Sequence, residues 1–259
     1  MLGFGSAIGP GRPDTALTPP ERGAPWSPLD LAPYAWWDAE QPETLTLTGT
    51  SVSAWADAAH GHTLRQLNQG SRPVWSATAL NGRPGILFDG TDDHLEIAPV
   101  PAGIPAGSGA YELWALVSQD TAGSSLMQRH IFSAGGPAAS SRRFRRLQEG
   151  GVSRLGALTG DGSGTAAVID GNEFSGIHVA RAVFGSTQTG VRLDDLASAS
   201  PVAIVPSTAQ TRLRIGAHSE ATPGNFWLGP INTFLITPIL TASEAALLLA
   251  YLKARGGIT

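Results

Sequence analysis

The sequence predicts an all-β protein, an antiparallel sandwich closed by one C-terminal helix and preceded by an extended N-terminal arm. Short apolar runs bounded by turn residues recur from Tyr34 to Thr237, as expected for many short strands. The 259 residues include 32 glycines and 19 prolines, more helix breakers than a bundle or coiled coil absorbs. A helical period appears only at the C-terminus.

Residues 1–33 form the arm. Pro10, Pro13, Pro19, Pro20, Pro25, Pro28 and Pro33 each fix φ and push the preceding residue toward extended backbone. Leu2, Phe4, Ile8 and Trp26 are isolated apolar anchors for ordering against another protein. Residues 34–259 form the domain. Strands are expected at Tyr34–Trp37, Val52–Asp57, Thr63–Leu67, Gly85–Asp89, His94–Ile97 and Tyr111–Ser118. More follow at Arg129–Ala134, Phe144–Gln148, Val152–Leu158, Thr165–Ile169 and Ile177–Phe184, then at Gly190–Leu193, Thr211–Ala217 and Phe226–Thr237. Tyr111–Val117 is apolar on both faces apart from Glu112, so both of its faces should be covered. Arg212-Leu213-Arg214-Ile215 alternates, with the aliphatic side chains inward and the arginines outward. The helix begins at a capping box, Thr241 with Glu244, and carries Ala245, Leu248, Leu249 and Leu252 as one stripe. Lys253 and Arg255 suit its negative end, and Gly256 a left-handed stop.

Composition narrows the function. Cysteine is absent, which excludes disulfides, thiolate metal sites and cysteine nucleophiles. The formal charge of −4 disfavours nucleic acid as the main partner. Lys253 is the only lysine and lies too late for a phosphate-binding loop. No apolar run approaches the ~18 residues of a membrane span. Residues 1–6 lack the basic start and apolar run of a signal peptide, so the chain is expected to be made in the cytoplasm.

Four segments resemble the laminin-G-like branch of the concanavalin A-like lectin/glucanase superfamily. They are Trp36–Ala39, Val52–Asp57, Asn81–Leu95, and Leu213–Ala217 ahead of Phe234-Leu235-Ile236 and the helix. The resemblance implies a two-sheet antiparallel jelly roll that binds glycans or proteins. The arm is similar to those of phage and gene-transfer-agent particle proteins, including head spikes and tail fibres. Together these imply a particle-surface protein that binds bacterial surface polysaccharide, with the arm held by capsid or other particle proteins. Several copies, as a homo-oligomer, would multiply a weak affinity. The alternatives are a structural adaptor contacting only proteins, and a polysaccharide-degrading enzyme.

The glucanases of that superfamily carry Glu-x-Asp-x-x-Glu on one strand, placing two carboxylates on one face. Here no glutamate is followed by aspartate two positions later, and no Gly-x-Ser-x-Gly or His-Glu-x-x-His occurs. The expectation is therefore a non-enzyme without a required cofactor.

For binding, Arg142, Arg143, Arg145 and Arg146 cannot all face a core unpaired, because buried lone cations are costly. Some should reach solvent or a partner, either as a patch for an anionic glycan or the acidic surface of a neighbouring subunit, or as a solvated hairpin whose arginines pair with Glu149, Asp161 or Asp170. Trp227, beside the turn Pro223-Gly224-Asn225, is a candidate for stacking on a sugar, with His218 and Glu220 as polar partners. Asp89, Asp92 and Asp93 sit in one turn, where they either accept backbone amides or bind calcium. His60 and His62 supply two metal ligands without an evident third.

Overall fold

The computed structural model describes residues 26–106, 109–119, 128–135, 141–149, 152–160, 167–168, 176–197, 202–203 and 210–259. Leu2, Phe4, Ile8, the turn residue Asp161 and most of the expected strand Thr165–Ile169 lie outside them.

Among the described residues the first strands are β1 (Ala35–Asp38), β2 (Leu45–Thr48), β3 (Ser51–Ala56), β4 (Thr63–Arg65), β5 (Val74–Leu80) and β6 (Arg83–Asp89). Then come β7 (Leu95–Ile97), β8 (Tyr111–Gln119), β9 (Gln128–Gly135), β10 (Ser141–Glu149), β11 (Val152–Gly160) and β12 (Ala167–Val168). The last are β13 (Gly176–Phe184), β14 (Gln188–Leu193), β15 (Leu196–Ala197), β16 (Val202–Ala203), β17 (Arg212–Ile215) and β18 (Leu228–Thr237), followed by α1 (Ala242–Gly256).

All pairings are antiparallel and run in two branches. In one, β1 pairs with β18, β18 with β8, β8 with β13 and β13 with β14. The other runs β2, β3, β4, β7, β17, β9, β10, β11, β12. The branches are not separate sheets. Strand β18 is longer than β1, and its first half, Leu228–Ile231, pairs with β6. Strand β6 pairs with β5, which meets β3 at Ser51 and Val74. The result is one nearly closed antiparallel sheet. The expected all-β class and C-terminal helix are observed, whereas two independent sheets are not, because β5 and β6 continue the ladder between the branches.

The branches share a core. Trp37, Ala115 and Phe234 come from the first, Phe132, Phe144 and Ile215 from the second. The rings of Phe132 and Phe234 stack at 5.3 Å. Strand β8 alternates between this core (Leu113, Ala115, Val117) and a second cluster (Trp114, Leu116). That cluster is completed by Leu248 and Leu252 of α1, so β8 is covered on both faces as its sequence requires. The capping box forms, with Glu244 N donating to Thr241 Oγ1 at 3.3 Å and Thr241 N to Glu244 Oε2 at 2.8 Å. The left-handed stop falls on Gly257 (φ 65°) rather than Gly256, which remains helical.

Trp26, expected to anchor the arm to another protein, packs on α1 of its own chain, edge-to-face with Tyr251 at 5.4 Å. A Ser27-capped 3₁₀ turn, Pro28–Leu31, follows and buries Leu31.

Candidate functional site

Register builds a polar row across the outer face of the second branch. Arg65 on β4 lies opposite Glu96 on β7, Glu96 opposite Arg214 on β17, Arg214 opposite Ser133 on β9, and Ser133 opposite Arg143 on β10. Their strand neighbours Leu64, Leu95, Leu213, Phe132 and Phe144 point the other way, into the core, as the period of two demands. Arg214 Nε donates to Glu96 Oε2 at 2.7 Å, and Arg143 Nη2 donates to Glu220 Oε1 at 2.9 Å. The segment after β17 lies over the middle of the row. Arg214 Nη1 donates to the carbonyls of His218 (2.9 Å) and Glu220 (2.6 Å), and Ser219 N donates to Ser133 Oγ (3.1 Å).

The uncovered end of the row opens into a groove of about 600 Å³ lined by Thr63, Arg65, Gln66, His94 and Glu96 with Leu67 and Pro99. Its polar wall is pre-set. His94 Nδ1 is 2.9 Å from the Asp92 carbonyl, and its Nε2 is 3.1 Å from Gln66 Nε2. The Asp92 carbonyl can only accept, which favours the proton on Nδ1, and Gln66 Nε2 lies 3.1–3.2 Å from both ring nitrogens. Burial and the nearby Arg214 hold the His94 imidazole below its ordinary pKa, which agrees with a neutral ring. Arg72 Nε donates to the Gln66 carbonyl at 2.9 Å and fixes the adjoining backbone. Arg65 is exposed, and Glu96 Oε1 takes no hydrogen bond among the described residues. Leu67, 86% exposed, adds an apolar wall. The sequence alone does not single out these lining residues. The available signal was the polar position at the outward step of two expected strands, Arg65 and Glu96, but only register places them side by side.

The arginine cluster lies elsewhere than expected. Arg142, Arg143, Arg145 and Arg146 are 1%, 6%, 6% and 4% exposed, so the expectation that some reach solvent is corrected. Among the described residues, which do not include Asp161 or Asp170, each is held by neighbours the sequence does not identify. Arg142 lies over the Tyr111 ring at 4.5 Å and donates to the Gly109 carbonyl at 2.7 Å. Arg143 meets Glu220, Arg145 donates to Gln128, and Arg146 donates to Ser153 and Gln148. The two-residue period alone puts Arg143 and Arg145 on the outer face and Phe144 in the core. The shift in register between Phe144 and Arg145 passes over Ile131 on β9, so that Ile131 and Phe132 both enter the core and His130 comes opposite Arg145.

Trp227 is fully buried in the shared core. Its ring is not presented to a sugar, because β18 begins beside it and turns it inward. His218 sits at the edge of the covered row, its ring 5.8 Å from that of His130. His60 and His62 lie 5.6 Å apart in a turn organised by Asp57.

The carboxylates of Asp89, Asp92 and Asp93 come within 4.8 Å of one another, and all three serve the turn. Asp89 Oδ1 accepts from Thr91 N (2.8 Å), Asp93 Oδ2 accepts from Asp89 N (3.0 Å), and Asp92 Oδ2 accepts from Ser71 Oγ (2.9 Å). Burial and the adjacent Asp89 push the Asp93 carboxyl up to about 6. A carboxyl that binds its proton more tightly when folded stabilises the fold on acidification. Stability should therefore rise as pH falls through 6 toward 4, by roughly 1–2 kcal/mol after allowing for solvent around the turn. Asp93→Asn keeps an oxygen for the Asp89 amide, so it should raise the melting midpoint at pH 7.5 and flatten this dependence. A midpoint lowered at pH 7.5 would contradict the assignment. Parallel melts with added calcium test the calcium expectation, which requires a rise in wild type that is lost in Asp93→Asn.

No protein-family model and no curated protein matches the chain, so the resemblance to a laminin-G-like domain gains no support from either. Solved structures match its fold. Trypanosoma rangeli sialidase in complex with sialic acid is 13% identical over 87% of this chain, with a TM-score of 0.60. This chain covers only 33% of that sialidase's length. Domain 4 of AbnA, a GH43 extracellular arabinanase from Geobacillus stearothermophilus solved with arabinotriose, is 11% identical. The match covers 85% of this chain and 97% of that domain, with a TM-score of 0.57. The CBM40 of Ruminococcus gnavus IT-sialidase bound to α2,3-sialyllactose is 12% identical over 65% of this chain and 95% of that one, at a TM-score of 0.50. At these identities the likeness is one of fold, shared with carbohydrate-binding and carbohydrate-processing proteins.

Two expectations change accordingly. The exclusion of an enzyme, drawn from missing motifs, is overturned, because the same fold occurs in the chains of sialidases and of an arabinanase. The particle-surface role finds no support in these neighbours.

Proposed function

We propose that this chain is a saccharide-recognising all-β domain of a protein that binds or processes polysaccharide, with the sugar held in the Arg65–Glu96 groove. The observation that carries the reading is the groove itself, an open polar cleft on a fold shared with chains solved with sialic acid, sialyllactose and arabinotriose. Its chemistry suits a sugar. The exposed Arg65 guanidinium offers donors and Glu96 Oε1 an acceptor for neighbouring hydroxyls, while Leu67 and Pro99 offer apolar surface to the C–H face of a ring. The fixed Gln66–His94 pair means little side-chain order is lost on binding. A bacterial surface polysaccharide is the ligand class we favour, with several weak sites acting together.

Arg65→Ala removes the exposed guanidinium without touching the core. It should weaken retention on a surface polysaccharide at least tenfold, at an unchanged melting midpoint. Calorimetry or glycan-array binding with the full chain measures this. Undiminished binding by Arg65→Ala would remove the groove from the proposal, and no retention on any polysaccharide would remove the saccharide reading. Release of reducing ends or unsaturated sugars in the same incubations would assign the processing role.

A further inference from the structure

The outer face of β10 carries positive charge that its described surroundings do not balance. Arg143 has Ser141 and Glu220 as partners. Among the described residues Arg145 has only the side-chain amide oxygen of Gln128, and its buried Nε donates to none of them. Directly opposite in register on β9 lies His130. It is fully buried, and neither of its ring nitrogens has a hydrogen-bond partner among the described residues. The segment after β17 lies alongside, with His130 N donating to the Asn225 carbonyl at 2.9 Å and the His218 ring 5.8 Å away.

Buried polar groups are almost always satisfied, so an orphaned imidazole beside an orphaned guanidinium nitrogen points to something bound between them. Water would supply hydrogen bonds but leave the charge of Arg145 unbalanced, and a buried unbalanced cation is strongly destabilising. An anion supplies both. The carboxylate of Glu220 is committed to Arg143. The charged and titratable groups acting on His130 are Arg145, Arg143 and His218, none of them acidic. Burial and Arg143 push the Arg145 guanidinium down to about 10, the direction expected for a cation lacking its counter-charge.

We propose that a small monovalent anion of the halide class is held between Arg145 Nε and a protonated ring nitrogen of His130, beneath the segment that carries His218 and Glu220. The site is distinct from the groove, sharing none of its lining residues, and its failure would leave the saccharide reading intact. The ion is a structural ligand. It balances β10 so that the segment after β17 can close over the polar row.

Crystals of the full chain grown with sodium bromide should show an anomalous peak between Arg145 and His130. In solution, replacing sodium chloride by sodium methanesulfonate at constant ionic strength should lower the melting midpoint by about 3–5 °C. Arg145→Met should show no such difference between the salts. A bromide map without a peak at this place overturns the proposal, whatever the salts do to the midpoint. A full chloride response in Arg145→Met overturns it as well. Should Arg145→Met fail to fold, the wild-type bromide map alone decides.

Discussion

Asp38→Ala should destabilise the protein by about 3–5 kcal/mol, because it strands a buried arginine. Arg255 near the end of α1 reaches Asp38 on β1 through two hydrogen bonds, Nη2 to Oδ1 at 2.6 Å and Nη1 to Oδ2 at 3.0 Å. Both residues are buried. Glu40 at 3.0 Å and Tyr251 Oη at 3.1 Å complete the surroundings of the guanidinium, and the bonds to Asp38 raise its pKa above the ordinary arginine value. Without Asp38, one neighbouring carboxylate remains for a cation that cannot return to water without lifting the helix end. Denaturant unfolding measures the loss. Arg83→Ala is the contrast, since Arg83 is half exposed and meets the same Glu40 at 3.2 Å. That pair should contribute at most about 1 kcal/mol. Equal losses in the two variants would show that burial is not the deciding factor.

Phe234→Ala should cost a similar amount, about 3–5 kcal/mol, through the cavity left in the shared core. Phe234 is fully buried on β18. It stacks on Phe132 from the other branch and lies 6.1 Å from Trp37 on β1. The removed ring therefore leaves both branches without contact at one point, and close-packed neighbours refill such a space only partly. The unfolding transition should stay cooperative and shift to lower denaturant. A loss below about 1 kcal/mol would mean that the two branches do not rely on this contact.

Much of the fold is legible in the amino-acid sequence. The double-sided apolar run at Tyr111–Val117 became β8 with clusters on both faces, and the Thr241–Glu244 capping box formed as spaced. Two other strands are less visible. Leu45–Thr48 is largely exposed, so no apolar run announces it, and Val74–Leu80 departs from regular register between Ser76 and Leu80. The site was hardly legible at all. Four consecutive-looking charges at Arg142–Arg146 suggest a solvated surface, yet their partners come from Gly109, Gln128, Ser153 and Glu220. The groove residues Arg65 and Glu96 look like ordinary outward positions until β4 and β7 are placed side by side.

The division has a physical reason. Strand class, helix caps and turns follow from interactions within a few residues and from the two- and 3.6-residue periods, so the amino-acid order alone determines them. Which polar groups are buried, paired or left open depends on strands distant in the chain coming into register. Arg214 meets Glu96 across 118 positions, and Arg255 meets Asp38 across 217. Only the tertiary structure decides those meetings, and with them where a sugar or an ion can be held.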